Sequence, residues 1–73
     1  MKVLDSKSFG EMIKAQRKKL GYTQKYICEV SGISASFISD LENGKGTVQL
    51  QKLLAVISAL GLSMFVYSAW SDK

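Results

Sequence analysis

Residues Tyr22 to Lys45 read YTQKYICEVSGISASFISDLENGK, and the architecture turns on how this stretch is punctuated. Thr23 is a plausible N-cap, because its hydroxyl can accept from an orphan N–H of the first turn. Tyr26, Ile27 and Val30 then recur at helical spacing and form an apolar stripe. This short helix ends near Ser31, where Gly32 supplies a turn. Ile33 plugs the angle before Ser34 caps the next helix. Phe37, Ile38 and Leu41 face inward, while Ala35, Ser36, Ser39, Asp40 and Asn43 are left outside. Asn43-Gly44 ends the second helix.

A further helix is expected on each side. Before Tyr22, a helix starts between Asp5 and Ser8. Ser8 with Glu11 three residues on makes a capping box, and Asp5 could cap an earlier start. Phe9, Met12, Ile13 and Leu20 follow helical spacing, and Gly21 suits the C′ position. After Lys45, Thr47 caps a fourth helix. Its expected buried stripe is Leu50, Leu53, Leu54, Ile57 and Leu60, closed by Gly61. The stretch from Leu62 to Tyr67 then favours a strand. Both of its faces, Leu62-Met64-Val66 and Ser63-Phe65-Tyr67, are largely apolar, so both want cover.

Composition narrows the classes. A chain of 73 residues holds one domain with a modest core and buries only about 60% of its unfolded surface. A second copy would be an economical remedy. There is one cysteine and no histidine, so an internal disulfide is impossible and a zinc site would lack ligands. Cys28 reads as a small buried hydrophobe. With no paired carboxylates and no phosphate-cradling glycine loop, nothing assembles a catalytic site, and no cofactor or metal is expected. No apolar run resembles a signal peptide or a membrane span. A cytoplasmic protein, nucleoid-associated when bound to DNA, is expected. The net charge is +4, compatible with nucleic acid but weak evidence in so small a chain. Lys14, Lys18 and Lys19 supply diffuse attraction, or are simply a solvated helix face.

Two short helices joined by a tight glycine turn are the helix-turn-helix arrangement. The outer face of the second is mild: Ala35, Ser36 and Ser39 are short and uncharged, which lets a helix sit close against base edges. The stretches Gly21-Tyr22-Thr23-Gln24, Val30-Ser31-Gly32-Ile33-Ser34 and Ile38-Ser39-Asp40-Leu41-Glu42-Asn43-Gly44-Lys45 resemble the Cro/C1-type (XRE) helix-turn-helix family over residues 9 to 61. The resemblance implies an all-α, lambda-repressor-like domain of four to five helices. It also implies DNA-binding roles for Thr23, Gln24, Ser34, Ala35, Ser36, Ser39, Asn43 and Lys45. Gln24 matches a position where related repressors hold a phosphate; a helix N-terminus favours an anion there, and the bland alternative is a surface glutamine. Ser34, Ala35, Ser36 and Ser39 match base-reading and groove-lining positions. Ala35 stands where relatives often carry glutamine, which removes an adenine contact and leaves an apolar one such as a thymine methyl. Asn43, Gly44 and Lys45 match a loop that lies along phosphates, and Lys45 is the strongest phosphate candidate. Arg17 and Glu42 match a pair joining the first helix to the end of the third, read as structural. Asp40 is out of place on a DNA-facing helix. It could accept from cytosine N4, but the favoured reading is that it caps or faces solvent.

The tail resembles that of HipB-type antitoxins through Leu60-Gly61-Leu62-Ser63-Met64. This implies a short C-terminal β-strand for dimerisation, carried by Leu62, Met64, Phe65, Val66 and Tyr67, and a HipA-type serine/threonine kinase toxin as partner. Trp70 is either a partner anchor or packs on the dimer strand. The expected organisation is an N-terminal arm over 1–7, the DNA-binding domain over 8–61, and the dimerisation strand and tail over 62–73. The expected function is a homodimeric repressor of its own operon that binds palindromic operator DNA and is the antitoxin of a kinase toxin. The alternatives are a stand-alone Cro/C1-type regulator and a protein-binding adaptor that has lost DNA contact.

Overall fold

A computed structural model describes residues 5–45 and 48–65. Its first helix, α1, spans Ser6–Lys19. The Asp5 carboxylate accepts from the Ser8 N–H at 2.8 Å, and the Asp5 N–H donates back to Ser8 Oγ at 3.1 Å. The capping box is thus Asp5 with Ser8, the earlier of the two expected starts, and a box of Ser8 with Glu11 is not formed. Asp5 wins because its anionic oxygen meets the positive end of the helix dipole. Arg17, Lys18 and Lys19 complement the opposite end.

The second helix, α2, spans Gln24–Ser31, with the Thr23 hydroxyl accepting from the Tyr26 N–H at 3.0 Å. Gly32 ends it with φ 74°. That left-handed conformation is one a residue with a Cβ adopts only at a cost. The third helix, α3, spans Ala35–Glu42, and the Ser34 hydroxyl accepts from the Phe37 N–H at 3.2 Å. Only two residues separate Gly32 from α3, so the reversal between α2 and α3 is tight, as the spacing predicts.

The fourth helix, α4, spans Leu50–Ala59. Its start differs from the expected one. Gln49 occupies the N-cap position and makes no side-chain cap bond; Thr47, read as the cap, lies outside the described residues. The helix is held by packing instead. Leu53, Val56, Ile57 and Leu60 are buried, an i, i+3, i+4, i+7 stripe. Leu50 and Leu54, expected in that stripe, lie on its flank and are 62% and 44% exposed. The same correction applies to α2, where Ile27 is buried but Tyr26 and Val30 are 44% and 52% exposed.

Ile13, Ile27, Ile38 and Leu41 complete the core with the four residues of α4, and Phe9, Met12, Tyr22, Cys28, Ile33, Phe37, Val48 and Leu62 pack around it. α3 lies against α1 and α2, and α2 against α4. Gln16 links α1 to the end of α4, its Nε2 donating to the Leu60 carbonyl at 3.2 Å. Where α1 meets α3, the contact is backbone to backbone. A Cβ added to Gly10 would overlap the Leu41 carbonyl oxygen and lie 2.7 Å from that of Glu42. Residues 62–65 form no strand within the single chain, and Val66, Tyr67 and Trp70 lie outside the described residues.

Candidate nucleic-acid interface

The interface is best built from the carboxylate beneath it. Glu42, at the end of α3, has a side chain only 2% exposed. A buried carboxylate is costly unless fully partnered. Here Arg17 Nε donates to Oε2 at 2.7 Å and Nη2 to Oε1 at 3.1 Å, a two-pronged contact across 25 residues of sequence. Gln24 Nε2 donates to the same Oε1 at 3.0 Å. Arg17 Nη1 donates to the Tyr22 carbonyl at 2.8 Å. The side-chain hydrogen bonds to Glu42 raise the Arg17 pKa above its ordinary value, against the lowering effect of burial. One carboxylate therefore ties together the end of α1, the entry to α2 and the exit of α3. No buried side-chain nitrogen or oxygen among the described residues lacks a partner.

With its inner face held by Ile38, Leu41 and Glu42, α3 turns the opposite face to solvent. Ala35, Ser36 and Asn43 are exposed, and Ser39 and Asp40 half-buried. Asn43 Nδ2 donates to Ser39 Oγ at 3.4 Å, a weak bond between two polar groups one turn apart. Thr23 and Ser34 are exposed. Each hydroxyl accepts a capping bond and keeps its own proton to donate. Lys45 follows Gly44, whose φ is 74°. A Cβ at Gly44 would lie 2.7 Å from the Lys7 Cα, so the loop after α3 is pressed against the first turn of α1. Lys45 is exposed; its N–H donates to the Asp40 carbonyl at 2.9 Å and its Nζ lies 3.8 Å from Asp40 Oδ1.

The residues singled out in the sequence thus divide. Thr23, Ser34, Ala35, Ser36, Ser39, Asn43 and Lys45 lie on α3 or at the helix ends and turns that flank it. Gln24 differs: it is half-buried and its amide is engaged with Glu42. Leu62 packs on the core, while Met64 and Phe65 are 43% and 73% exposed. Three features escaped sequence reasoning: the bond from Gln24 to Glu42, the ion pair of Asp40 with Lys45, and the close approach at Gly10. The lysine five residues after Asp40 was a usable signal for the second; the other two depend on long-range packing. Among the described residues no group of three or more His, Cys, Asp or Glu could hold a metal, and no helix is long and apolar enough to cross a membrane.

Comparison with known proteins agrees with this geometry. The family model described as helix-turn-helix matches residues 13–66. An uncharacterized HTH-type transcriptional regulator, y4mF of Sinorhizobium fredii, is 38% identical over 55 residues, 75% of this chain and 72% of that protein. The ImmF control region 10 kDa protein of Bacillus phage phi105 is 30% identical over 64 residues, 88% of this chain and 71% of that protein. Among solved structures, HipB in a HipB-O4 20mer complex superposes with a TM-score of 0.85 at 26% identity, covering 94% of this chain and 97% of that one. A chain of a HipA-HipB-O2-O3 complex gives the same TM-score and coverage at 25% identity.

Proposed function

This chain belongs to the helix-turn-helix family, of the XRE type, and from that premise we propose that it is a transcriptional repressor that reads double-stranded DNA with the outer face of α3. The observation that carries the reading is that face itself. It presents short uncharged side chains at Ala35, Ser36 and Ser39, with its own buried side held by the Glu42 network. Such a helix approaches base edges without long side chains to clear. Lys45 serves the phosphate backbone and carries affinity without sequence. Thr23 and the first-turn N–H groups of α2 favour a second phosphate, because helix N-termini attract anions. Gln24 acts there through Glu42, by orienting that N-terminus.

In this reading two copies pair through Leu62, Met64, Phe65, Val66 and Tyr67, with two α3 helices about 34 Å apart on a palindromic operator. The finer role proposed is that of an antitoxin that represses its own operon, in the cytoplasm, and binds a HipA-type kinase. Its support is the near end-to-end similarity to HipB, together with the HipB-like tail from Leu60 to Met64. The stand-alone regulator is the second reading, favoured by y4mF, whose name gives a transcriptional regulator and mentions no toxin.

The test is a titration of duplex DNA from this gene's own upstream region at two salt concentrations, with wild type and a Gln24→Ala/Lys45→Ala double variant. Tight binding that falls steeply with salt and is lost in the variant is expected, since each phosphate neutralised adds about −0.9 to the slope of log K against log salt. Folded protein that ignores the duplex would remove self-regulation and favour the adaptor. A kinase encoded beside this gene that co-purifies with the chain separates antitoxin from stand-alone regulator.

A further inference from the structure

We infer that Asp40 is a specificity-determining residue, a carboxylate that holds Lys45 in check until α3 meets a base that can replace it. The inference rests on the DNA-binding reading above and concerns how that surface rejects wrong sequences.

Two of the eight residues of α3 are carboxylates, and none is a cation. Their circumstances differ. Glu42 is buried and its charge is taken up by Arg17 and Gln24. Asp40 lies on the outer face, one turn from Ser36 and close to Asn43, with a side chain 51% exposed. The fold does not need it. Its carbonyl, not its carboxylate, receives the Lys45 N–H, and Lys45 Nζ stands 3.8 Å from Oδ1. On a surface offered to a polyanion, that carboxylate is a liability unless it performs a function.

The pair can perform one. An exposed ion pair of this kind contributes at most about 1 kcal/mol, so a phosphate can draw Lys45 away. Once Lys45 leaves, Asp40 faces the groove with no counter-charge. An ionised carboxylate only accepts, and in the major groove guanine offers two acceptors and adenine an acceptor beside its amino group. Cytosine presents its N4 amino group as a donor alone. A cytosine opposite Asp40 satisfies the carboxylate and frees Lys45 for phosphate. Guanine and thymine, which offer only acceptors, leave either a stranded carboxylate or a lysine still occupied by Asp40, and adenine sets its N7 acceptor against the carboxylate beside the amino group. The pair thus lowers affinity for wrong sequences while contributing little to the fold.

The experiment selects binding sites from random duplexes with wild type and with Asp40→Asn, then titrates both proteins against the wild-type consensus and a scrambled duplex over a range of salt. Wild type is expected to favour cytosine, and to reject guanine and thymine, at one position of each half-site and Asp40→Asn to accept other bases there. The ratio of consensus to scrambled affinity should fall about tenfold in the variant, within the range one good base contact discriminates. On the scrambled duplex the salt slope should steepen by about one unit, as Lys45 becomes free to neutralise a phosphate. Asp40→Ala, which adds no amide donor, should behave likewise, and equal melting temperatures would show that both variants fold. An unchanged ratio and an unchanged consensus would overturn the inference while leaving DNA binding intact. Wild type that binds no duplex would overturn the DNA-binding reading and this inference with it.

Discussion

Arg17 and Glu42 illustrate why a buried ion pair is asymmetric in its consequences. Truncating one partner strands the other in a site that is 11% or 2% exposed, and such losses cost about 3–5 kcal/mol. Arg17→Ala is therefore expected to leave little folded protein at room temperature, seen as a collapsed urea midpoint. Gln24→Ala removes one hydrogen bond to the same carboxylate and should cost about 1.5 kcal/mol. That smaller loss keeps the variant folded, so any effect on DNA binding can be measured in it. At the opposite end of α1, the Ser8 backbone N–H, aided by the Ser8 hydroxyl, holds the Asp5 carboxyl below its ordinary value of 3.8. A carboxyl with a depressed folded pKa contributes its stability above the unfolded value. That contribution is lost as pH falls below 3.8 through the folded value. Acid titration followed by circular dichroism should show the first turn of α1 loosening in that window. Asp5→Asn, which can still cap, should lose that pH dependence.

Elements were legible in the sequence wherever their limits are set by local chemistry. Thr23 and Ser34 cap the helices they were read to cap, and Gly32 turns where the left-handed conformation is needed, because each acts within four residues. α4 was less legible. Seven of its residues and its C-cap are apolar, and helical spacing alone permits either Leu50-Leu53-Leu54-Ile57 or Leu53-Val56-Ile57-Leu60 as the inner stripe. Only packing against the rest of the core chooses between them. Gly10 hides a second long-range constraint, since a glycine inside a helix normally signals weakness rather than contact. Gly10→Ala tests it. Alanine would ordinarily favour α1 by about 1 kcal/mol, yet here its Cβ would strike the backbone of α3 at Leu41 and Glu42. The expected result is destabilisation of about 1–3 kcal/mol, read as a lower melting temperature. A gain in stability would show that α1 can shift away from α3 at no cost.

At the scale of the molecule, four of the exposed large apolar side chains among the described residues lie in α4 or just after it, while Leu20, Tyr26 and Val30 lie elsewhere. Leu50, Leu54, Met64 and Phe65 are all more than 40% exposed in the single chain, and Met64 and Phe65 belong to the segment proposed to pair. If a second copy covers them, the wild-type melting temperature rises with protein concentration. Phe65→Ser should abolish that dependence and yield a monomer in sedimentation, with little loss within the protomer because Phe65 is 73% exposed. A concentration-independent melt in wild type would remove the dimer. The separation of the two faces of α3 has a consequence of a different kind. The packing of α3 converges on the inner side, at Ile38, Leu41 and Glu42, while Ala35 and Ser36 are exposed. Changes at those outer positions are nearly neutral for stability, so a lineage can drift through many of them and arrive at a new target site with its scaffold intact. The inner side allows no such wandering: the domain can be retargeted readily and rebuilt hardly at all.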